Sequence, residues 1–472
     1  MYWMTQKKLD SLKIYDKSDE TSIMSRAARL KGRSLNDFIE CGETIIGGTN
    51  TKGVFGQIVE EGYFQIENNS SPLPDFQEAG IELKVTPMKK TRKGLVSKER
   101  LILGIINYDE VPKRHFEIFL DKDSHILIVF YLWEEDKDIF EYKFLKAVDW
   151  RPTPEELRMI REDWDIIEGY IMRGEAHYLS ERHTKLLAAC TKGAGHGRDM
   201  RSQPFSDVLA KQRALSFKAS FMTELFHTHA DVGELMIDSM PETESNSILS
   251  EEWSLDETFE EHVTHIFDKF IGMTCAQIEG ILGVELKDSS KQYYYMLTLA
   301  MMGVIKKHSI KEFNEAGISI KTIRLKTNGK PKESMSFPAF KYEEIVKQTW
   351  ETSDFYSQID HEFFFSVFQF NSDDPSKEDR KELRFKGAFF WYVPDKDFDT
   401  IQKVWEDTRQ KVLEERFDDF IRASDGRISH VRPHGRDSKD TYPYNGKDIV
   451  KKSFWFNDSY VRKVVRGHFK DR

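Results

Sequence analysis

Apolar and charged residues alternate along Ile81-Glu82-Leu83-Lys84-Val85, with Ile81, Leu83 and Val85 on one side and Glu82 and Lys84 on the other. Successive side chains of an extended segment point to opposite faces, so the stretch reads as a strand with a core face and a charged face. β-Branched and aromatic runs of strand length follow at Ile102 to Tyr108, Phe116 to Leu120 and Ile126 to Leu132. The period then changes. Thr153-Pro154-Glu155-Glu156 is a capping box with proline at the first helical position, and Leu157, Ile160, Trp164, Ile167 and Tyr170 recur behind it at helical spacing. That spacing predicts a core role for Trp164. Upstream, Lys52-Gly53-Val54-Phe55-Gly56-Gln57-Ile58-Val59-Glu60 reads as a helix start whose glycines permit close approach. Strands and helices intermixed in this way predict an α/β (α+β) fold.

The pattern occurs twice. Glu78-Ala79-Gly80-Ile81-Glu82-Leu83-Lys84 returns in the second half of the chain as Glu315-Ala316-Gly317-Ile318-Ser319-Ile320-Lys321. Trp164 returns as Trp405, and the helix entry Ser216-Phe217-x-x-Ser220-Phe221 resembles Trp455-Phe456-x-x-Ser459-Tyr460. Three landmarks in one order at nearly one spacing indicate duplication. The 472 residues also exceed what one ordinary core accommodates. The expected organisation is a first copy over 1–225, an acidic joint over 226–258 and a second copy over 259–472.

Asp75 precedes Glu82 by seven positions. If it sits at the end of the neighbouring strand, two carboxylates and the Lys84 ammonium meet at a point. Such a cluster can hold a hard divalent cation and activate a water beside it, which phosphodiester hydrolysis needs. Asp75, Glu82 and the backbone carbonyl of Leu83 are the candidate metal ligands. Lys84 is the candidate for orienting or deprotonating the water, and Glu60 is a further acid. Ser319 stands where the second copy should carry the glutamate, and a hydroxyl is a poor substitute for an anionic ligand. The second copy is therefore expected to bind DNA without cutting it.

Composition narrows the reading. Hydrophobic content of 39% and aromatic content of 13% describe a globular protein. No apolar run reaches the ~18 residues of a membrane span, and the first residues lack a signal-peptide core. Cys41, Cys190 and Cys275 are widely spaced, which fits a reducing cytoplasm and argues against zinc or a disulfide framework. The net charge of −10 is no bar to DNA binding, because local field governs contact. Acid concentrates between Glu242 and Glu261, whereas basic residues gather at 84–100, 181–218, 321–341 and 429–472. A metal site beside a cationic ribbon suits a polyanion.

Lys52-Gly53-x-x-Gly56-x-x-x-Glu60, Asp75 and Ala79 to Lys84, continued by Arg161 to Trp164 and Thr191 to Phe221, resemble the MutH-like branch of the PD-(D/E)xK nucleases. Ser97 to Tyr108 looks more like the GATC-cutting restriction endonucleases of that branch than the repair nickase. The resemblance implies two tandem restriction-endonuclease-like domains, each a central mixed sheet flanked by helices. It implies a magnesium-dependent type II enzyme of the type IIE kind, cutting both strands of duplex DNA at GATC. Its second domain would be an effector domain, the chain a monomer that pairs transiently on DNA, and its companion a cognate methyltransferase. Lys192 matches a base-contacting lysine of the family and Lys52 a DNA-contacting one, while Ser216 stands in place of a base-contacting tyrosine. Arg198, Arg201 and Arg213 are candidate phosphate contacts. In the second copy, Arg432 and Arg436 occupy the corresponding late loop, and Lys321, Arg324, Lys326, Lys330 and Lys332 would line a groove. A mismatch-repair nickase and a noncatalytic, methylation-sensing DNA-binding protein remain the alternatives.

Overall fold

The computed structural model describes residues 15–38, 54–66, 73–92, 94–192, 199–234, 247–249, 253–254, 256–304, 309–372 and 379–470. The chain divides into two compact units, Met1–Ser245 with Asn314–Gly317, and Asn246–Phe313 with Ile318–Arg472.

The first unit opens with helix α1 (Glu20–Ala28) and the short helix α2 (Val54–Gln57), which runs on as a π-helical segment, Ile58–Tyr63. Strands β1 (Glu82–Thr91), β2 (Gly94–Ser97) and β3 (Leu101–Ile105) precede helix α3 (Glu117–Asp123), strands β4 (Ile126–Leu132) and β5 (Phe144–Trp150), and the long helix α4 (Pro154–Met172). Strands β6 (Leu187–Thr191), β7 (Met200–Gln203), β8 (Ser206–Lys211) and β9 (Arg213–Phe217) follow, then helix α5 (Ala219–Thr228). The central sheet has the order β2-β1-β4-β5. It is mixed: β1 runs parallel to β4, from Glu82 opposite Ile126 to Met88 opposite Leu132, and the outer pairs are antiparallel. A second sheet, β3-β9-β6, and the β7–β8 hairpin accompany it.

The alternation in β1 works as expected on its apolar side. Ile81 and Leu83 join Leu127, Val129, Phe55 and Val59 in one buried cluster. In α4, the Thr153 hydroxyl accepts from the Glu156 amide at 3.2 Å and the Glu156 carboxylate accepts from the Thr153 amide at 3.1 Å. Trp164 is buried, as the helical spacing predicts. The run Phe116 to Leu120 is not a strand, however, and falls mainly in α3. Phe116 and Phe119, one helical turn apart, stack at 5.4 Å, and Phe116 packs on Trp164 at 6.0 Å. So short an apolar run fits either period, and packing against α4 selects the helical one.

The second unit repeats the plan. Helices α6 (Phe259–Asp268) and α7 (Tyr293–Met301) precede strands β10 (Ser319–Leu325), β11 (Met335–Ala339), β12 (Phe363–Gln369) and β13 (Arg384–Trp391). Helix α8 (Asp395–Leu413) has 19 residues, as α4 does. Strands β14 (Ser429–Pro433), β15 (Thr441–Tyr444), β16 (Lys447–Val450) and β17 (Lys452–Phe456) and helix α9 (Asp458–Lys470) close the unit. β10 runs parallel to β12 from Ser319 opposite Phe363, the counterpart of Glu82 opposite Ile126. The sheets β10-β12-β13 and β11-β17-β14 match those of the first unit, with one difference. Among the described residues no named strand takes the place of β2 beside β10. That edge carries only an isolated bridge near its end, Leu325 with Pro331.

Candidate active site

Asp75 reaches β1 across a turn rather than from a neighbouring strand. Phe76 and Ile81 form an isolated antiparallel bridge, with mutual backbone bonds of 2.9 and 3.2 Å. The chain reverses between them through Gly80 at φ +67°, a left-handed conformation that glycine adopts without steric cost. The reversal lays Asp75 beside the start of β1. Its Oδ2 accepts from the Leu83 amide at 3.0 Å, and its own amide donates to Glu82 Oε2 at 3.1 Å. The Lys84 ammonium donates to Glu82 Oε1. Asp75, Glu82 and Lys84 therefore converge.

Two residues that the sequence reading missed complete the cluster. Lys122 Nζ, near the end of α3, stands 3.5 Å from Glu82 Oε1. The next residue, Asp123, is buried, and burial pushes its carboxyl up to about 7 against the pull of Lys84. Glu60 projects from the π-helical segment toward the same place. Burial raises its carboxyl above the usual range, and the charge of Asp75 adds to the effect. Burial likewise raises Glu82, which is 1% exposed, with Lys84 opposing. For Lys84, burial favours the neutral amine, but Glu82 and Asp123 outweigh it and hold the ammonium above its ordinary value.

The site thus gathers the carboxyl groups of Glu60, Asp75, Glu82 and Asp123 around the ammonium groups of Lys84 and Lys122. Burial pushes Glu60, Glu82 and Asp123 toward neutrality, a condition that a hard cation with oxygen ligands relieves. The donor set, carboxylate oxygens beside the Leu83 carbonyl, fits such an ion. A different triple, Glu20, His125 and Asp149, brings its ligand atoms within 4.8 Å of one another. Glu20 is already paired with Arg151 at 2.7 Å, and His125 with Asp149 at 2.7 Å.

The second unit has lost most of this chemistry. Ser319 opens β10 where Glu82 opens β1, and its hydroxyl bonds His361 Nε2 at 2.9 Å. At the same repeat offset, Leu297 replaces Glu60 and Ile359 replaces Lys122. Glu312 falls at the place of Asp75, an acid that the sequence reading overlooked. Its carboxylate accepts from the Ser247 hydroxyl and, at 3.2 Å, from the Ile248 amide. Lys321 keeps the place of Lys84, and Asp360 that of Asp123.

The expected DNA contacts fall into three groups. Lys192 is exposed just beyond β6, and Arg436 is exposed beyond β14. Arg432 is exposed and stacks its guanidinium 3.6 Å from the Trp455 ring centre. Ser216 and Arg213 depart from expectation. Both lie on β9 between β3 and β6, where Ser216 is fully buried and bonds the Ala188 carbonyl. Arg213 is buried too, donating to the Ala189 carbonyl at 3.4 Å. Their place on a strand flanked on both sides buries both side chains. Lys52 and Arg198 lie outside the described residues.

The sequence profile of the family described as DNA mismatch repair enzyme MutH matches residues 64–163 and 305–403. The two matches are offset by nearly the spacing of the internal repeat. The type II restriction enzyme Sau3AI of Staphylococcus aureus is 32% identical over 501 residues, covering 94% of this chain and 98% of that protein. The DNA mismatch repair protein MutH of Shewanella woodyi is 27% identical, covering 36% of this chain and 74% of its own. That of Serratia proteamaculans is 26% identical, covering 45% and 93%. Two copies of the matched pattern, an acid–lysine cluster within the first of them and an end-to-end alignment with a restriction enzyme lead to one conclusion: the chain belongs to the MutH family of site-specific deoxyribonucleases.

Proposed function

We propose that the protein is a type II restriction endonuclease that hydrolyses both strands of duplex DNA at GATC, with magnesium as the metal. The observation that carries the reading is an internal contrast. Asp75, Glu82 and Lys84 meet in one copy, whereas Ser319 and His361 occupy the other. A full-length restriction-enzyme relative supports this choice over a repair nickase, whose relatives align with less than half of this chain.

Asp75, Glu82 and the Leu83 carbonyl would hold the ion, which supplies Lewis acidity at the scissile phosphate. Lys84 orients the attacking water and stabilises charge that develops on the phosphoryl oxygens. Its hydrogen bond to Glu82 fixes the ammonium beside the carboxylate cluster. Lys122 adds a second positive charge beside Glu82. Glu60 and Asp123, both inclined to keep a proton, limit the repulsion that a DNA phosphate meets. Lys192, with Lys52 and Arg198, would read or grip the site.

The second unit acts as a noncutting DNA-binding effector, through Arg432, Arg436 and Lys321. With one catalytic centre per chain, both strands are cut either by two chains that meet on DNA or by sequential nicking; in this reading the protein is a monomer in solution that pairs transiently on its substrate. The division falls into a catalytic part, 1–225, an acidic joint, 226–258, and an effector part, 259–472. A cytoplasmic location and a cognate methyltransferase accompany the reading.

Supercoiled plasmid with magnesium tests it. Linear product with ends mapping to GATC is the expected result. Open circles alone would favour the nickase, and a mobility shift without cleavage would favour a noncatalytic binder.

A further inference from the structure

Beside β10 lies a cleft of about 450 Å³, lined among others by Lys291, Lys321, Arg324, Lys332, Glu333 and Arg380. Cationic side chains outnumber the single acid there. Glu333 is committed to an ion pair with Arg324. Arg380 is held in place by donating to the Asp288 and Ser290 carbonyls at 2.8 and 2.9 Å. Lys321 lies between Phe337 and Phe363, its ammonium 5.9 Å from each ring centre. No carboxylate among the described residues pairs with it.

The first unit surrounds the equivalent lysine with acids. With serine in place of Glu82, leucine in place of Glu60 and the acid at 312 bonded to Ser247 and Ile248, Lys321 loses acids of the kind that hold Lys84. A site built for a cation becomes one built for an anion. Burial disfavours the Lys321 ammonium, with no charged neighbour to oppose it, Asp360 included. Lys332 is disfavoured by burial and by the charges of Arg324 and Arg380, with Glu333 opposing. Each would be relieved by a bound anion. Among the described residues no strand pairs with the first part of the β10 edge beside them.

We infer that the degenerate site of the second unit is a metal-independent seat for a backbone phosphate of duplex DNA, held by Lys321 with Arg324, Lys332 and Arg380. The inference rests on the reading of that unit as a DNA-binding effector, and adds the atom group it grips and its independence of metal. It also gives Lys321 a use, since a lysine stripped of its catalytic partners would otherwise be a costly cation to keep half-buried.

Binding of a GATC duplex to the full chain in EDTA, followed by fluorescence anisotropy across a salt series, tests it. Wild type should form the complex without metal. Lys321→Met should bind roughly tenfold more weakly at ~0.1 M salt, with the log–log salt slope shallower by about 0.9, one phosphate contact. Lys321→Arg should restore most of both. Methionine keeps the length and packing between the two phenylalanines, so Lys321→Met should melt no lower than wild type. Equal affinity and slope for wild type and Lys321→Met would overturn the seat while leaving the effector reading intact. A wild-type complex that needs calcium or magnesium would overturn its metal independence. Absence of any complex would sink the effector reading itself. Titration with inorganic phosphate separates the remaining source: Lys321-dependent binding of free phosphate, with duplex affinity unchanged in Lys321→Met, would assign the cleft to the free anion and refute the seat for DNA.

Discussion

Glu82 bears the heaviest demand of any residue in the cluster. It is almost wholly buried, shared between Lys84 and Lys122, and raised by desolvation. Glu82→Gln preserves shape and removes the anionic ligand, so plasmid cleavage should fall by about a thousandfold or more. Duplex binding in calcium should persist, as anisotropy would report; retained cleavage would remove the metal assignment. His430 offers a separate test at this scale. It is buried on β14 with both ring nitrogens unbonded, and burial together with Arg432 depresses its pKa, while Asp458 opposes. The unfolded chain then takes up the proton first, near pH ~6.5. Stability from this group is complete above that value and is lost as pH falls toward the folded pKa, with a slope of at most ~1.4 kcal/mol per pH unit. Urea melts between pH 7.5 and pH 5 should show the loss in wild type, and His430→Leu should flatten it.

Elements set the positions of these residues, and Asp163 shows how. Its fully buried carboxylate accepts from the Lys185, Leu186 and Leu187 amides at 2.6, 2.6 and 2.9 Å. Helix α4 thereby fixes where β6 begins, and β6 delivers Lys192 to the surface. Asp163→Asn would present amide hydrogens to amide hydrogens and cost about 2–4 kcal/mol, measurable by urea denaturation. A loss under ~0.5 kcal/mol would contradict the clamp. Much at this scale was legible in the sequence. The alternation in β1 marked both its faces, and the capping box marked the start of α4. Phe116 to Leu120 misled because so few apolar residues carry no decisive period. Lys122 and Asp123 escaped notice because they lie far along the chain from Glu82, and only the docking of α3 beside β1 brings them to it.

At the scale of the whole molecule, duplication separates cutting from sensing. The two copies keep one strand register, Glu82 opposite Ile126 and Ser319 opposite Phe363, while their local charge has diverged. If the second unit senses DNA, a GATC oligonucleotide added in trans should accelerate cleavage of a single-site plasmid. A coupling of ~1–3 kcal/mol corresponds to roughly 5- to 150-fold. Initial rates with and without the oligonucleotide measure it. An unchanged rate at saturating oligonucleotide would count against the coupling. Rising salt should weaken this stimulation, because the contacts proposed for the second unit are largely to phosphate.

By itself the sequence determined the duplication, the strand that carries Glu82 and Lys84, the loss of the acid at 319 and the family. Each is written in local order, where period and spacing suffice. Only the tertiary structure decided that Asp75 folds back across a turn at Gly80, that Lys122 and Asp123 join the cluster, and that Ser216 and Arg213 face inward on a central strand. It also decided that Glu312 turns to Ser247 while no strand replaces β2 along β10. Such outcomes depend on which segments pack together and which polar groups find partners once water is excluded. Apart from the turn at Gly80, no window of neighbouring residues contains that information.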